Sequence, residues 1–255
     1  RLDVCALANN HVLDFGQEGL ADTVTSLARA GIRPAGAGLD EDAAWAPARV
    51  DLAEGGRLLV WSVAAGSSGV PADWAAAPDR PGVAYLAQVS ERSADAFAAR
   101  VRDEAQPGDV TVVSVHWGSN WGYEVFPEQV RFAHRLVDAG VHLVHGHSAH
   151  HPRPLEVYRG HLILYGCGDL LDDYEGIGGY EAYRPELRLM YFPTLDPDNG
   201  ALSDLRMAVM RMRRMRLECA APRDAEWLAE VLGRVSRPFG TEVRPADGYL
   251  RLGRA

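Results

Sequence analysis

The sequence predicts an α/β protein with mixed sheets, because strand-like and helix-like segments alternate early and hairpins follow later. Short apolar runs that end at polar residues alternate with segments whose apolar residues recur at helical spacing. Beyond residue 155 the strand-like segments follow one another across short turns, as antiparallel hairpins do. We therefore expect a layered α/β sandwich with late antiparallel hairpins, forming one domain over residues 1–255.

The first part of the chain is predicted to alternate strands with helices. Leu20, Val24 and Leu27 lie at helical spacing, and Gly31 suits the end of that helix. Ser93 is a favourable N-cap, and Pro127 takes a first-turn position that proline tolerates. The predicted strands are residues 3–8, Leu58–Val63, Val110–Val115 and Val141–Val144, and the predicted helical segments are Gln17–Ala30, Asp40–Ala46, Ser93–Ala105 and Pro127–Ala139. Residues 66–82, rich in Gly, Ser, Pro and Ala, are predicted to form a surface loop or lid.

The second part of the chain is predicted to consist mainly of hairpins. The predicted elements are a hairpin of Leu155–Tyr158 with His161–Tyr165, strands at 187–195 and 202–218, a helix at Arg223–Val235 and a last hairpin about Asp247-Gly248. Arginines 211, 213, 214 and 216 nearly alternate with Met and Leu in the strand at 202–218, which indicates one solvated face.

Composition excludes some classes of function. A net charge of −9 argues against a nucleic-acid-binding protein, which should carry a basic face. The three cysteines form no disulfide pattern, and no segment has the ~18 apolar residues of a membrane span. A cytoplasmic location is therefore favoured for this chain. Because the sequence opens without Met, we expect a missing N-terminal segment, with which a membrane-associated or extracytoplasmic location would be possible.

Three polar clusters, each following a predicted strand, carry the most informative histidines. They contain Asn10 and His11, then His116, then His147 and His150. Ligands of α/β proteins bind at the carboxyl ends of the strands, and imidazole nitrogens with an amide oxygen suit Zn²⁺, Mn²⁺ or Fe. We therefore predict one assembled site for a divalent transition metal. Turn formation by Asn10 and a structural role for His116 are the alternatives.

Several carboxylates lie close to these clusters in sequence. Asp14 could orient His11 or cap the following helix. Glu124 could reach the predicted metal site and contact substrate there, or it could be a solvated surface residue. Asp169 could contact substrate, hydrogen-bond a ligand histidine or belong to a polar turn. Of the other residues, His134, His142 and His161 are interpreted as structural and Cys167 as a small buried hydrophobe. His145 or His151 could support a ligand residue, and His151 could also be only a loop residue.

The sequence resembles the CapA family of capsule (poly-γ-glutamate) synthesis proteins. The resembling stretches are residues 7–20 (Leu-Ala-Asn-Asn-His-Val-Leu-Asp-Phe-Gly-Gln-Glu-Gly-Leu) with Thr23, His116-Trp-Gly118, residues 146–152 (Gly-His-Ser-Ala-His-His-Pro), Pro154–Gly160 and Leu164–Asp169. The resemblance implies a calcineurin-like metallophosphoesterase fold. It also implies that Asn10, His116 and His147 bind metal, that His11 is an acid and that His150 is a ligand or a substrate contact.

The resemblance implies a metal-dependent hydrolase or transferase acting on a phosphoester or a γ-glutamyl (peptide) substrate with one or two Mn, Fe or Zn ions. A bound metal would lower the pKa of a water molecule and polarise the scissile group. The alternatives are a non-catalytic accessory subunit of a capsule-polymer synthase, which would contact the synthesis machinery, and a metal-dependent peptide epimerase. Members of this fold usually supply further aspartate ligands upstream of Asn-Asn-His, so we expect this chain to be a fragment. Asp169 also stands where the family often has Asn.

Overall fold

The computed structural model describes residues 2–53, 55–174 and 177–254, and within them the chain is a mixed α/β protein. The α-helices are α1 (Gly16–Arg29), α2 (Glu41–Trp45), α3 (Glu91–Glu104), α4 (Pro127–Asp138) and α5 (Pro222–Ser236). The strands are β1 (Val4–Ala6), β2 (Arg33–Ala35), β3 (Ala37–Gly38), β4 (Ala48–Asp51), β5 (Arg57–Ala65), β6 (Gly82–Val83), β7 (Tyr85–Leu86), β8 (Val110–His116), β9 (Leu143–His147), β10 (Leu155–Tyr158), β11 (His161–Leu164), β12 (Leu187–Leu195), β13 (Leu202–Arg213), β14 (Arg216–Cys219), β15 (Thr241–Ala246) and β16 (Tyr249–Arg254). The predicted fold class is confirmed.

The chain divides into two compact units. The first unit comprises the described residues up to Gly118 together with residues 126–146, and the second comprises residues 119–125 and the described residues from His147 onward. The expectation of a single domain stays a prediction. None of the helices in the described ranges has the length and apolar character needed to cross a membrane.

The first unit is built on a sheet in which β9, β8, β5 and β4 follow one another. Strands β5 and β8 are parallel and run in register from Leu58 opposite Val110 to Ala64 opposite His116. Helices α3 and α4 contribute apolar side chains to the core, as in the edge-to-face pair of Phe97 with Trp61. Parallel pairing brings the carboxyl ends of β5 and β8 to the same edge, where His116 ends its strand.

The second unit contains an antiparallel sheet in the order β12-β13-β16-β15, with β14 paired to β13. Helix α5 packs on β15 and buries Leu228 and Leu232. Its core also includes Leu205, Met207 and Leu250 from the sheet. The predicted hairpins of β10 with β11 and of β15 with β16 are confirmed.

Some predicted boundaries were wrong. Ser90 rather than Ser93 is the N-cap of α3, and Ser93 completes a capping box with it. The strand predicted at 202–218 is two strands, because the chain turns at Arg214 and Met215, whose φ angles are 50° and 59°. The first strand is shorter than predicted and only half-buried, and the short strands β2, β3 and β4 were not predicted. The predicted lid contains two 3₁₀ turns and buries Ser68 and Val70.

Candidate functional site

In the first unit, Asn10 and His116 both lie beside the turn that follows β5. His116 is 95% buried, and its Nδ1 lies 2.6 Å from the Oγ of Ser68. The Ser68 hydroxyl also lies 2.9 Å from the main-chain oxygen of His116. An added Cβ at Gly69 would lie only 3.8 Å from the Asn10 side-chain amide. The structure therefore brings two of the four predicted ligands to one turn.

His11 and Asp14 form a local pair on the surface of the first unit. The Nδ1 of His11 lies 2.8 Å from an Asp14 carboxylate oxygen, while the two side chains are 74% and 47% exposed. Helix α1 begins after Phe15 and has no side-chain cap. Asp14 thus contacts His11 and does not cap the helix, which decides between the two alternatives that the sequence left open.

In the second unit, the loop of residues 119–125 and the segment after β9 hold His150 in place. The His150 amide donates to the carbonyl of Asn120 at 3.0 Å, and the His150 ring lies against the Trp121 ring with centroids 5.4 Å apart. The φ angle of Ser148 is 119°, a conformation that non-glycine residues rarely adopt. The chain between His147, the last residue of β9, and His150 is therefore sharply bent.

Asp169 is the hydrogen-bond partner of His150. The Nδ1 of His150 lies 2.9 Å from the Oδ2 of Asp169, and the side chains are 20% and 22% exposed. The Tyr174 hydroxyl lies 3.3 Å from the same ring nitrogen. Of the open alternatives for Asp169, the structure shows the hydrogen bond to a histidine. Because 19 residues separate the two in sequence, the sequence alone left this hydrogen bond as one of three alternatives.

Arg188, a residue of β12, anchors the carboxylate of Asp169. It is 99% buried and donates to Asp169 at 2.9 Å and to Asp172 at 2.6 Å. Burial works to raise the pKa of Asp169, but the hydrogen bond from His150 and the charge of Arg188 bring it below its ordinary value. For Asp172, burial prevails and its pKa is raised. The Asp169 carboxylate therefore favours the charged form, which accepts a hydrogen bond from the His150 ring.

His151, which the sequence left open as a support for a ligand or a loop residue, is fully buried. Its Nε2 accepts from the Gly122 amide at 3.1 Å, and its Nδ1 lies 3.0 Å from the carbonyl of Pro152. Burial lowers the pKa of His151 to about 4, so the ring is neutral at pH 7. Its ring stacks on Trp121 and Tyr183 with centroids 5.8 and 4.5 Å away. Because His151 is neutral and both its ring nitrogens contact the main chain, it has a structural role next to His150.

Other predicted residues have simpler surroundings. Glu124 is exposed, whereas Cys167 is buried, and burial raises the pKa of its thiol as expected of a small core residue. His142 bonds Thr111, and His161 lies 3.2 Å from the carbonyl of Gly200, in keeping with structural roles. Sequence reasoning missed Arg188, Trp121 and Tyr174. The one available signal was the position of Arg188 inside an apolar strand.

The predicted metal ligands are distributed over the two units. Asn10 and His116 belong to the first unit, and His147 and His150 to the second. Among residues 2–53, 55–174 and 177–254, no three His, Cys, Asp or Glu side chains are grouped so as to hold a metal ion. The described residues therefore do not fit the expected transition-metal centre by themselves. Metal binding stays a prediction.

Comparison with known proteins gives the family. Residues 1–174 match the model of the bacterial capsule synthesis protein PGA_cap. This chain belongs to that family. It is 56% identical over 255 residues to a Mycobacterium tuberculosis protein named probable polyglutamine synthesis accessory protein, covering 99% of this chain and 67% of the relative. It is also 28% identical over 168 residues to the PGA biosynthesis protein CapA of Bacillus subtilis, covering 65% of this chain and 41% of the relative.

The Bacillus anthracis capsule biosynthesis protein CapA is a further relative, 25% identical over 174 residues and covering 67% of this chain and 40% of its own length. The family match ends at residue 174, whereas the similarity to the M. tuberculosis protein extends over nearly the whole chain. The predicted resemblance to CapA proteins is confirmed. The part of the second unit beyond the family match is shared with the more similar relative.

Proposed function

We propose that this protein is an accessory protein of glutamate-polymer synthesis and that its second unit carries a hydrolase-type site. The observation that carries the accessory role is the 56% identity, over 99% of the chain, to a protein named for polyglutamine synthesis. The 28% identity to a protein named for PGA biosynthesis supports a glutamate polymer. Its partners would then be the growing polymer and the enzymes that extend it. The proposed hydrolase activity depends on the pair of His150 with Asp169.

The geometry of this pair supports proton transfer. With Asp169 ionised, the Nδ1–H of His150 donates to the carboxylate, and the lone pair of the neutral ring lies on Nε2. In the described residues, Nε2 of His150 makes no hydrogen bond to the protein. A proton taken up at Nε2 gives an imidazolium that the adjacent carboxylate stabilises. Arg188 and Trp121 fix the two groups, so that little reorganisation accompanies the transfer.

A γ-glutamyl or peptide-type amide is the substrate that this site would suit. His150 would take a proton from a water molecule as its oxygen bonds to the amide carbon. It would then give that proton to the leaving nitrogen as the carbon–nitrogen bond breaks, which produces an amine and a carboxylic acid that loses its remaining proton to solvent. A phosphoester could be cleaved with the same proton movements and an alcohol as leaving group.

The test is to incubate the purified chain with a γ-linked glutamate oligomer and to follow oligomer length by mass spectrometry. We expect shorter oligomers with the wild type and at least a hundredfold lower rate with His150→Gln, which keeps a polar side chain of similar size. An α-linked oligomer and a phosphoester serve as comparison substrates. An oligomer that stays intact, or one cleaved equally by His150→Gln, would overturn the hydrolase proposal. The accessory role would be overturned if deletion of the gene left polymer yield unchanged.

A further inference from the structure

The tip of the β13–β14 hairpin is an unusual place for four arginines. Strand β13 carries Arg211 and Arg213, the turn carries Arg214, and Arg216 begins β14. In a chain of net charge −9, these four arginines form a local concentration of positive charge. The proposed hydrolase site makes no use of it.

Two features of this hairpin act against its stability. Arg213 and Arg216 are direct cross-strand partners, and like charges placed opposite one another destabilise a sheet. Arg214 and Met215 both adopt positive φ angles, which favour Gly, Asn or Asp. The hairpin of β15 with β16 places Asp247 and Gly248 at the same kind of turn. The comparison indicates that Arg214 is present for a reason other than turn stability.

Another arginine pair in the same sheet shows how such repulsion is otherwise compensated. Arg206 and Arg251 are also cross-strand partners, but Arg251 makes ion pairs with Asp204 at 3.3 Å and Asp247 at 3.6 Å. In the part of the chain that the structure describes, neither Arg213 nor Arg216 makes an ion pair, and both are exposed. As far as the described residues go, the charge at the hairpin tip is therefore available to an external anion.

A cavity of about 500 Å³ lies beside the hairpin, within the second unit. Arg211, Arg213 and Arg214 line it, together with Glu181 and Glu186. Arg184 neutralises Glu186 with a contact of 2.9 Å, and Glu181 accepts from the amide of Gly179 at 2.9 Å. The main-chain bond from the Met212 amide to the Glu186 carbonyl, 2.8 Å long, ties the two walls together. Within the described residues, Arg211 also pairs with Asp224 at 4.0 Å, so Arg213 and Arg214 outweigh the one remaining carboxylate of the cavity, that of Glu181.

We propose that this cavity and the tip of the β13–β14 hairpin bind a polyamide chain bearing carboxylates, that is, a segment of a glutamate polymer. Guanidinium groups bind carboxylates through paired, charge-assisted hydrogen bonds. The glutamate oxygens of the cavity supply acceptors for amide N–H groups, which a polyamide has and a phosphodiester backbone lacks. The inference rests on the proposed function, because that function supplies the polymer.

The binding test uses the full chain and a fluorescently labelled oligomer of γ-linked glutamate, with anisotropy as readout at low ionic strength. We expect the double variant Arg213→Gln/Arg214→Asn to bind at least tenfold more weakly than the wild type. Its thermal midpoint should be equal or higher, because Asn tolerates the positive φ and the facing charges are gone. The control variant Arg29→Gln/Arg102→Gln removes the same charge from exposed helix positions and should bind as the wild type does.

Three results would overturn the inference. They are absence of binding by the wild type, equal binding by the double variant, and tighter binding of a thymidylate oligomer of matched charge. The result is separable from the proposed function, because binding is measured without cleavage. If the oligomer does not bind but a γ-glutamyl dipeptide is still cleaved in a His150-dependent way, only the hairpin proposal is overturned. If the oligomer binds but is not cleaved, only the hydrolase proposal is overturned.

Discussion

His11 with Asp14 and His150 with Asp169 are two histidine–carboxylate pairs of nearly equal length in very different surroundings. The nitrogen–oxygen distances are 2.8 and 2.9 Å, but the first pair is largely exposed and the second is about four-fifths buried. Within residues 2–53, 55–174 and 177–254, only the second pair has an arginine on its carboxylate. Water screens an exposed pair and leaves its side chains free to move, so equal distance does not mean equal function. The comparison favours His150 as the acid–base group.

The largest expected difference between the pairs is in catalysis. His150→Gln should lower the rate of γ-glutamyl cleavage by about 10²- to 10⁴-fold, the usual contribution of a positioned acid–base group. His11→Gln should change it by less than about tenfold if the exposed pair takes no part. Initial rates for both variants, measured against the same oligomer, check this. A larger loss for His11→Gln would reverse the assignment.

The next effect concerns the arginine that distinguishes the pairs. Arg188→Met leaves the carboxylates of Asp169 and Asp172 without their buried cation, which should lower the free energy of unfolding by about 3–5 kcal/mol. Arg251→Met is the matched control, because its acidic partners are exposed and about 1 kcal/mol or less should be lost. Urea unfolding measures both. Similar losses for the two variants would show that the ion pairs of Arg188 contribute no more to the free energy of unfolding than those of Arg251.

Acid pH should reduce the contribution of the buried pair to stability. The pKa of Asp169 is lowered on folding, so its charge contributes stability that is present above the ordinary value of 3.8 and is lost as pH falls through the lower folded value. Asp169→Asn should therefore cost about 2 kcal/mol at pH 7, and the difference from the wild type should shrink below pH 3.8. Unfolding curves at several pH values test this. A difference that stays constant down to pH 2 would be contrary to expectation.

The smallest effect is expected for the exposed pair. Asp14→Asn should change the free energy of unfolding by less than about 1 kcal/mol, and added salt should diminish even that. Thermal unfolding at low and high ionic strength is the measurement. A large, salt-independent loss would indicate that Asp14 is held as firmly as Asp169 and would remove the basis of the comparison.

The two pairs also show what sequence can and cannot predict. His11 and Asp14 are three residues apart, so their contact follows from local geometry and could be anticipated as one of two alternatives. The contact of His150 with Asp169 and Arg188 depends on how distant segments of the second unit pack. A buried arginine also runs against the usual preference of charged residues for the surface, and composition gives no hint of it.

Secondary structure, too, was predicted best where local sequence determines it. Hydrophobic periodicity located most long elements, including α1, α4, β5 and the last hairpin, to within two or three residues. The turn at Arg214 and Met215 escaped prediction because neither residue is typical of tight turns. Short strands such as β2 and β3 contain too few residues for a period to be recognised.

Nitrogen-15 NMR of the imidazole rings at pH 8 tests the central comparison most directly. If Asp169 accepts from Nδ1, neutral His150 should be a single Nδ1–H tautomer, and Asp169→Asn should change its tautomer populations. His11, in its exposed pair, should show a mixture of tautomers in rapid exchange. A His150 ring protonated mainly on Nε2, or one with the same mixture as His11, would contradict the assignment of His150 and Asp169 as the acid–base pair.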